Sequence, residues 1–195
     1  MFKIENVDFM SFYNELLELY EAKNKSDKNG QGTKQSQSFS AHIEKVCTPL
    51  PSVISGMPKE QSGFLLYVTP KFINHYNELV SKHPAPEIAK LHSNMQKGIG
   101  FLQKTGRVTH KDLYTETLHD SCLCTSAWRL NRISGTPVRA HVILAHDSAT
   151  NKKYFILATL FLHREKRLTN DEVTLGNSEY NKIYDYSKIS AKKSN

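Results

Sequence analysis

The spacing of apolar residues changes along this chain, and each change marks an element. Phe9, Phe12, Tyr13, Leu16, Leu17 and Tyr20 recur at i, i+3, i+4 and i+7, the period that lines up side chains on one helical face. Asp8 stands where an N-cap belongs. Residues 22–40 are polar, hold Gly30 and Gly32 and have no period, so they predict a flexible linker or exposed loop. Residues 41–62, broken by Pro49, Pro51 and Pro58, predict an extended connector packed on the main body.

From Gly63 the texture is different. The apolar run FLLYV at 64–68 has strand length and stops at Thr69-Pro70. Thr69 is then an N-cap and Pro70 a favoured first helical residue for a helix over about 70–82, with Phe72, Ile73, Tyr76, Leu79 and Val80 as its apolar stripe. His83 and Pro84 break that helix. Pro86 opens another, in which Ile88, Leu91, Met95, Ile99 and Leu102 repeat at helical spacing. The short connection predicts an antiparallel helical hairpin. Residues 103–121 are polar, and DLYTETL within them reads as a short helix. Three stretches of strand character follow at 123–133, 138–146 and 154–163, separated by turn signals at 134–137 and 147–152. They predict a β-meander whose third strand, apolar on both sides, is central. A last helix over 169–186 starts from Thr169 or Asn170 and is interrupted by Gly176, and the terminal AKKSN is frayed.

At 195 residues the chain has room for one domain with or without an appendage. Its net charge of +7 is unevenly spread: residues 1–62 hold 7 Lys and Arg against 8 Asp and Glu, and residues 63–195 hold 19 against 11, or −1 and +8. The basic character thus belongs to the second part, where it concentrates polyanions. Three cysteines are too few for a disulfide framework and fit a reducing cytoplasm. There is no long apolar run for a membrane span and no secretory-signal pattern.

The element order from residue 63 carries a family resemblance. TPKFINHYNEL resembles the start of the RelE/HigB-like toxins, in which a first strand leads into a helix with an early Phe and a late Leu. WRLNRISGTPVRAHVILAH resembles the Arg-bearing middle strands of that superfamily. KKYFILATLFLHREKRLTNDEV resembles its last core strand, which ends in a basic segment and runs into a helix. The resemblance covers roughly residues 63–186 and none of residues 1–60. It implies an α+β fold, an antiparallel β-sheet packed against a helical hairpin, with an N-terminal helical extension at 1–62 before a RelE-like toxin domain at 63–195. It also implies a toxin of a toxin–antitoxin pair, an endoribonuclease that cuts mRNA on the ribosome without metal or cofactor. A cognate antitoxin, for which a helix-turn-helix protein is one candidate, would neutralise it. Other branches of the superfamily act on gyrase. No membrane partner is expected, and a homodimer is left open.

Metal-independent RNA cleavage requires proton removal from the 2′-OH, protonation of the leaving oxygen and charge stabilisation at phosphorus, and arginine suits the last task. Arg129, Arg132 and Arg139 fall on adjacent strands, and His163 and Lys166 lie where the third strand leaves the sheet. These five are the candidate catalytic residues, with His163 a candidate acid or base. Strict alternation sends Arg129 and Arg132 to opposite faces, so both reach one site only if the strand bulges or ends near residue 131. Lys152, Lys153, Arg164 and Arg167 are candidate RNA contacts. Against this stand plainer readings: HREKR as a solvated turn, the arginines as solvent-facing strand positions, His141 and His146 as structural, and Trp128 and Tyr154 as core residues rather than base-stacking ones. Cys122-Leu123-Cys124 with His119 nearby lacks the further ligands that zinc needs, so no metal is expected. The slight acidic bias of residues 1–40 suggests that they mask or gate the basic site, the plainer reading being that they simply pack on the fold. The rival functions are a non-catalytic nucleic-acid- or partner-binding protein on the same scaffold, and a gyrase inhibitor.

Overall fold

The computed structural model describes residues 9–29, 38–50, 63–107, 115–116, 121–165 and 167–185. In chain order the elements are α1 (Phe9–Asn29), α2 (Phe39–Val46), β1 (Thr48–Pro49), β2 (Phe64–Val68), α3 (Pro70–Lys82), α4 (Ala85–Thr105), β3 (Thr115–Glu116), β4 (Ser126–Ile133), β5 (Thr136–Asp147), β6 (Lys152–Leu162) and α5 (Asn170–Tyr184). The signal at the start of α3 works as the sequence suggests. Thr69 Oγ1 accepts the Phe72 N–H at 3.1 Å, with Pro70 in the first turn behind it. Helix α4 runs to Thr105 and stops at Gly106, whose φ of 69° closes the last turn with an N–H bond to the Leu102 carbonyl.

The strands form one sheet in the order β1-β2-β6-β5-β4-β3. Strands β4, β5 and β6 make the expected antiparallel meander, and β6 is central between β2 and β5. The expectation of an antiparallel sheet is corrected in one place: β2 pairs with β6 in parallel, so the sheet is mixed. Parallel neighbours need a long crossover. The α3–α4 hairpin, lying on one face, forms part of that crossover, and a run of apolar residues such as FLLYV carries no sign of strand direction.

The hairpin closes an apolar core over one face. Trp128, Leu130, Val142, Phe155 and Leu157 of the sheet pack there with Phe72, Tyr76, Leu91, Met95 and Ile99. Leu16 of α1 is buried in the same core, and Tyr13 lies against Tyr76 with ring centroids 6.1 Å apart. The opposite face receives α5 and α2, with Ile43, Ile143, Tyr154, Ile156 and Ile183 in a second cluster.

Other expectations are corrected. The extended connector at 41–62 begins instead with a helix, α2, because Ser38 caps it by accepting the Ala41 N–H at 3.1 Å and because Ser40 bonds to the buried Asp147 carboxylate. Thr48–Pro49 then pairs at the sheet edge, where a proline is tolerated, and residues 51–62 lie outside the described residues. The loop expected at 22–40 is helical as far as Asn29. In DLYTETL the described pair, Thr115–Glu116, is a strand on β4 rather than a helix. Gly176 does not interrupt α5. Asp8, Lys166 and the terminal AKKSN lie outside the described residues.

Candidate functional site

Two irregularities in the meander decide which side chains meet. In the β4–β5 pair Arg129 faces Arg139 and Asn131 faces Val138, leaving Leu130 as an extra residue. This is the bulge near residue 131 that the arginines require. Because cross-strand partners share a face, it carries Arg132, paired with Pro137, back to the side of Arg129 and Arg139. In the β5–β6 pair His141 faces Thr159 and Val142 faces Leu157, so Ala158 is the extra residue. Thr159, Phe161 and His163 thereby follow on the α5 face, and Leu160 turns to the hairpin core.

Three cross-strand rows result on the α5 face: Ala127, His141 and Thr159; Arg129, Arg139 and Phe161; and Arg132 and Pro137, with the His163 N–H donating to the Pro137 carbonyl at 2.8 Å. The structure therefore brings Arg129, Arg132, Arg139 and His163 together, with Arg164 and Arg167 in the segment that leaves the sheet beside them. Arg129, Arg132, Arg164 and Arg167 are exposed, whereas Arg139 and His163 are buried. Arg132 donates to the Gly135 carbonyl at 3.2 Å, across the hairpin turn made by Ser134 and Gly135, both at positive φ.

His163 is held rather than presented. Its Nδ1 lies 2.9 and 3.0 Å from the two carboxylate oxygens of Glu172, and the ring packs edge-on to Phe161 at 6.4 Å between centroids. Glu172 also accepts the Thr169 N–H at 2.8 Å, while Thr169 Oγ1 accepts the Glu172 N–H at 3.3 Å. This capping box starts α5 and ties the end of β6 to it. Glu172 was not among the sequence candidates, although Thr169-x-x-Glu172 is the legible sign of such a box. Phe161 continues the row to His141, at 4.8 Å between ring centroids.

Lys152 and Lys153 do not join this group. They start β6 at the opposite end of the sheet, roughly 30 Å away at the usual strand rise. Lys152 is paired with Glu44 of α2 at 3.1 Å, a contact that raises its pKa. Helix α2 thus covers the end of the sheet remote from the arginines, held there by Ser40 on Asp147 and by His42 at 2.8 Å from the Lys182 carbonyl oxygen. Trp128 and Tyr154 are fully buried, the first against Phe155 at 5.0 Å, so both are core residues and not stacking surfaces. His141 is buried, and His146 is exposed beside Asn151 on the β5–β6 turn.

Among the described residues no cluster of His, Cys, Asp and Glu is placed to hold a metal ion, and no helix is long and apolar enough to cross a membrane. Fold and site together define an α+β protein with a mixed sheet covered on both faces by helices, and with an arginine-rich sheet end beside a buried His–Glu pair. No family model matches the chain, and no curated protein or solved structure matches it significantly.

Proposed function

We propose that the protein is a toxin-like endoribonuclease, an mRNA interferase acting in the cytoplasm on ribosome-bound mRNA and held in check by a cognate antitoxin. The observation that carries this reading is the β4 bulge, which gathers Arg129, Arg132 and Arg139 on one face beside the exposed Arg164 and Arg167. Exposed guanidiniums bind phosphates in a planar, bidentate manner. Arg129, Arg132, Arg164 and Arg167 are the RNA contacts in this reading. Arg139 and His163, being buried, act as positioning residues: the imidazole and Glu172 fix the segment from which the basic side chains project. Lys166 is the proposed group that contacts the reacting phosphate.

A second reading, a non-catalytic nucleic-acid-binding protein, is favoured by one observation: the candidate acid or base, His163, is 0% exposed. One experiment separates the two. Wild type, Arg129→Ala/Arg132→Ala and Lys166→Ala are expressed inducibly, mRNA 5′ ends are mapped, and RNA affinity is measured against salt. The enzyme reading expects growth arrest with mRNA cuts that both variants lose. It also expects the salt slope to flatten by about one for each phosphate-contacting arginine removed. RNA binding without cuts supports the second reading. DNA damage without RNA cuts supports gyrase as the target, and absence of RNA binding sinks both RNA readings.

A further inference from the structure

The segment before β4 carries two cysteines that the proposed function does not use. It is fixed on α5 by one side chain: the Asn177 amide oxygen accepts the Leu123 N–H at 2.7 Å and its NH2 donates to the Ser121 carbonyl at 2.8 Å. Beside Asn177, Gly176 has no side chain, and a Cβ there would lie 3.0 Å from Cys124 Sγ and 2.9 Å from His141 Nδ1. The helix backbone therefore packs directly onto both Cys124 and His141. Cys124 is buried, Cys122 is partly exposed, and neither is in a disulfide. Cys122 packs against the apolar cluster that contains Cys124. His141 is fully buried; its Nδ1 is bonded to Thr159 Oγ1 at 2.8 Å, and its Nε2 has no hydrogen-bond partner.

This arrangement distinguishes the two sulfurs. The neighbouring Cys124 thiol lowers the pKa of Cys122, burial opposes it, and the His141 ring adds to the lowering, so the thiolate is favoured. The Cys122 sulfur beside it and then burial raise the pKa of Cys124, which keeps its proton. Thiolate character and access together make a cysteine reactive. Cys47, buried on α2's side with a thiol pushed up to about 12, has neither.

We propose that Cys122 and Cys124 are a thiol–disulfide exchange pair, with Cys122 the attacking sulfur and Cys124 the resolving one, and a low-molecular-weight disulfide as oxidant. The Cys122 thiolate attacks one sulfur of the small disulfide, forms a mixed disulfide and expels one thiolate, which takes a proton from solvent. Cys124 then loses its proton to His141 or water and attacks Cys122 Sγ, expelling the second small thiol. The dithiol is oxidised to an intramolecular disulfide, and the small disulfide is reduced to two thiols.

The test uses the full chain, reduced and then exposed to oxidised glutathione at neutral pH, with intact-mass measurement and peptide mapping. Wild type is expected to lose two hydrogens and to show a Cys122–Cys124 bridge without a lasting adduct. Cys124→Ala is expected to stop at one glutathione on Cys122, and Cys122→Ala to react at least about tenfold more slowly. In wild type, iodoacetamide should label Cys122 before Cys47 at a similar advantage, which keeps the test decisive if a variant misfolds. A persistent glutathione adduct on wild type, equal labelling of Cys122 and Cys47, or a Cys122→Ala variant that reacts as fast as wild type would overturn the proposal.

Discussion

Trp128 and Arg129 are neighbours on β4 and point to opposite faces of the sheet. Trp128 goes to the hairpin core, fully buried against Phe155. Arg129 goes to the α5 face, exposed and abreast of the buried Arg139. The contrast holds over the arginine end of the sheet. Trp128, Ala140, Val142 and Leu160 contribute to the hairpin core. The other face carries Arg139, His141, Thr159 and His163, all buried and polar, beneath a helix that begins with a capping box. Burial of apolar area stabilises the hairpin face throughout; on the other face it does so at Ile43, Ile143, Tyr154, Ile156 and Ile183, while hydrogen bonds to fixed partners hold the arginine end. Like charges directly opposite each other, as at Arg129 and Arg139, cost stability. Local conflicts of this kind cluster at functional sites, which supports the α5 face as the proposed functional one.

The comparison is broken most severely from the hairpin side. Trp128→Ala removes the largest fully buried side chain and should cost about 3–5 kcal/mol of unfolding free energy, read by chemical denaturation. Arg129→Ala on the same strand, exposed and away from that core, should stay within about 0.5 kcal/mol. Similar losses for both would show that the two faces do not divide stability and charge as argued.

What the sequence made legible follows the same division. The hairpin face was readable because its helices obey one period: Phe72, Ile73, Tyr76 and Leu79, then Ile88, Leu91, Met95 and Ile99, with Thr69-Pro70 marking the start. The meander and its central strand were readable from two short turns and one apolar run. The α5 face was legible in composition only. Whether Arg129 and Arg132 share a side depends on one extra residue at Leu130, and whether Phe161 joins His141 depends on another at Ala158. A bulge is chosen by packing on both faces at once, so alternation along one strand does not reveal it. The parallel β2–β6 pairing is non-local in the same sense. Helix α2 was hidden because prolines at 49, 51 and 58 dominate a window whose first residues are capped by Ser38.

A pH titration sharpens the contrast between faces. His92 on α4 is buried, and desolvation lowers its pKa from 6.5 to about 4. The unfolded chain then binds a proton that the folded protein does not between those values, so stability rises with pH from about 4 to 6.5 and is flat above. The loss on acidification should be on the order of 2–3 kcal/mol. Replacing the side chain in His92→Leu should flatten the denaturation midpoint over that window. At lower pH a different group takes over: Asp147, whose pKa is lowered to about 2 by the Ser40 hydroxyl first, opposed by burial and helped by Thr150. Its stabilisation is present above about pH 4 and is lost as pH falls toward 2, and Asp147→Asn should remove that window alone. An unchanged profile in His92→Leu between pH 4 and 6.5 would mean that the hairpin core tolerates the imidazolium.

The smallest effect tests how tightly α5 is seated. Two helical glycines differ in what an added methyl group would meet. At Gly100 in α4 nothing lies within 4 Å, whereas at Gly176 in α5 the His141 ring is 2.9 Å away and Cys124 Sγ is 3.0 Å away. Gly100→Ala should therefore show the plain helix-propensity gain of about 0.5–1 kcal/mol. Gly176→Ala has the same gain, but the methyl must displace a buried imidazole bonded to Thr159, an overpacking cost of about 1–3 kcal/mol that outweighs it. The two substitutions should thus move the thermal midpoint in opposite directions. If both raise it, the helix yields at His141, and the packing of α5 on that ring and on Cys124 is looser than the distances require.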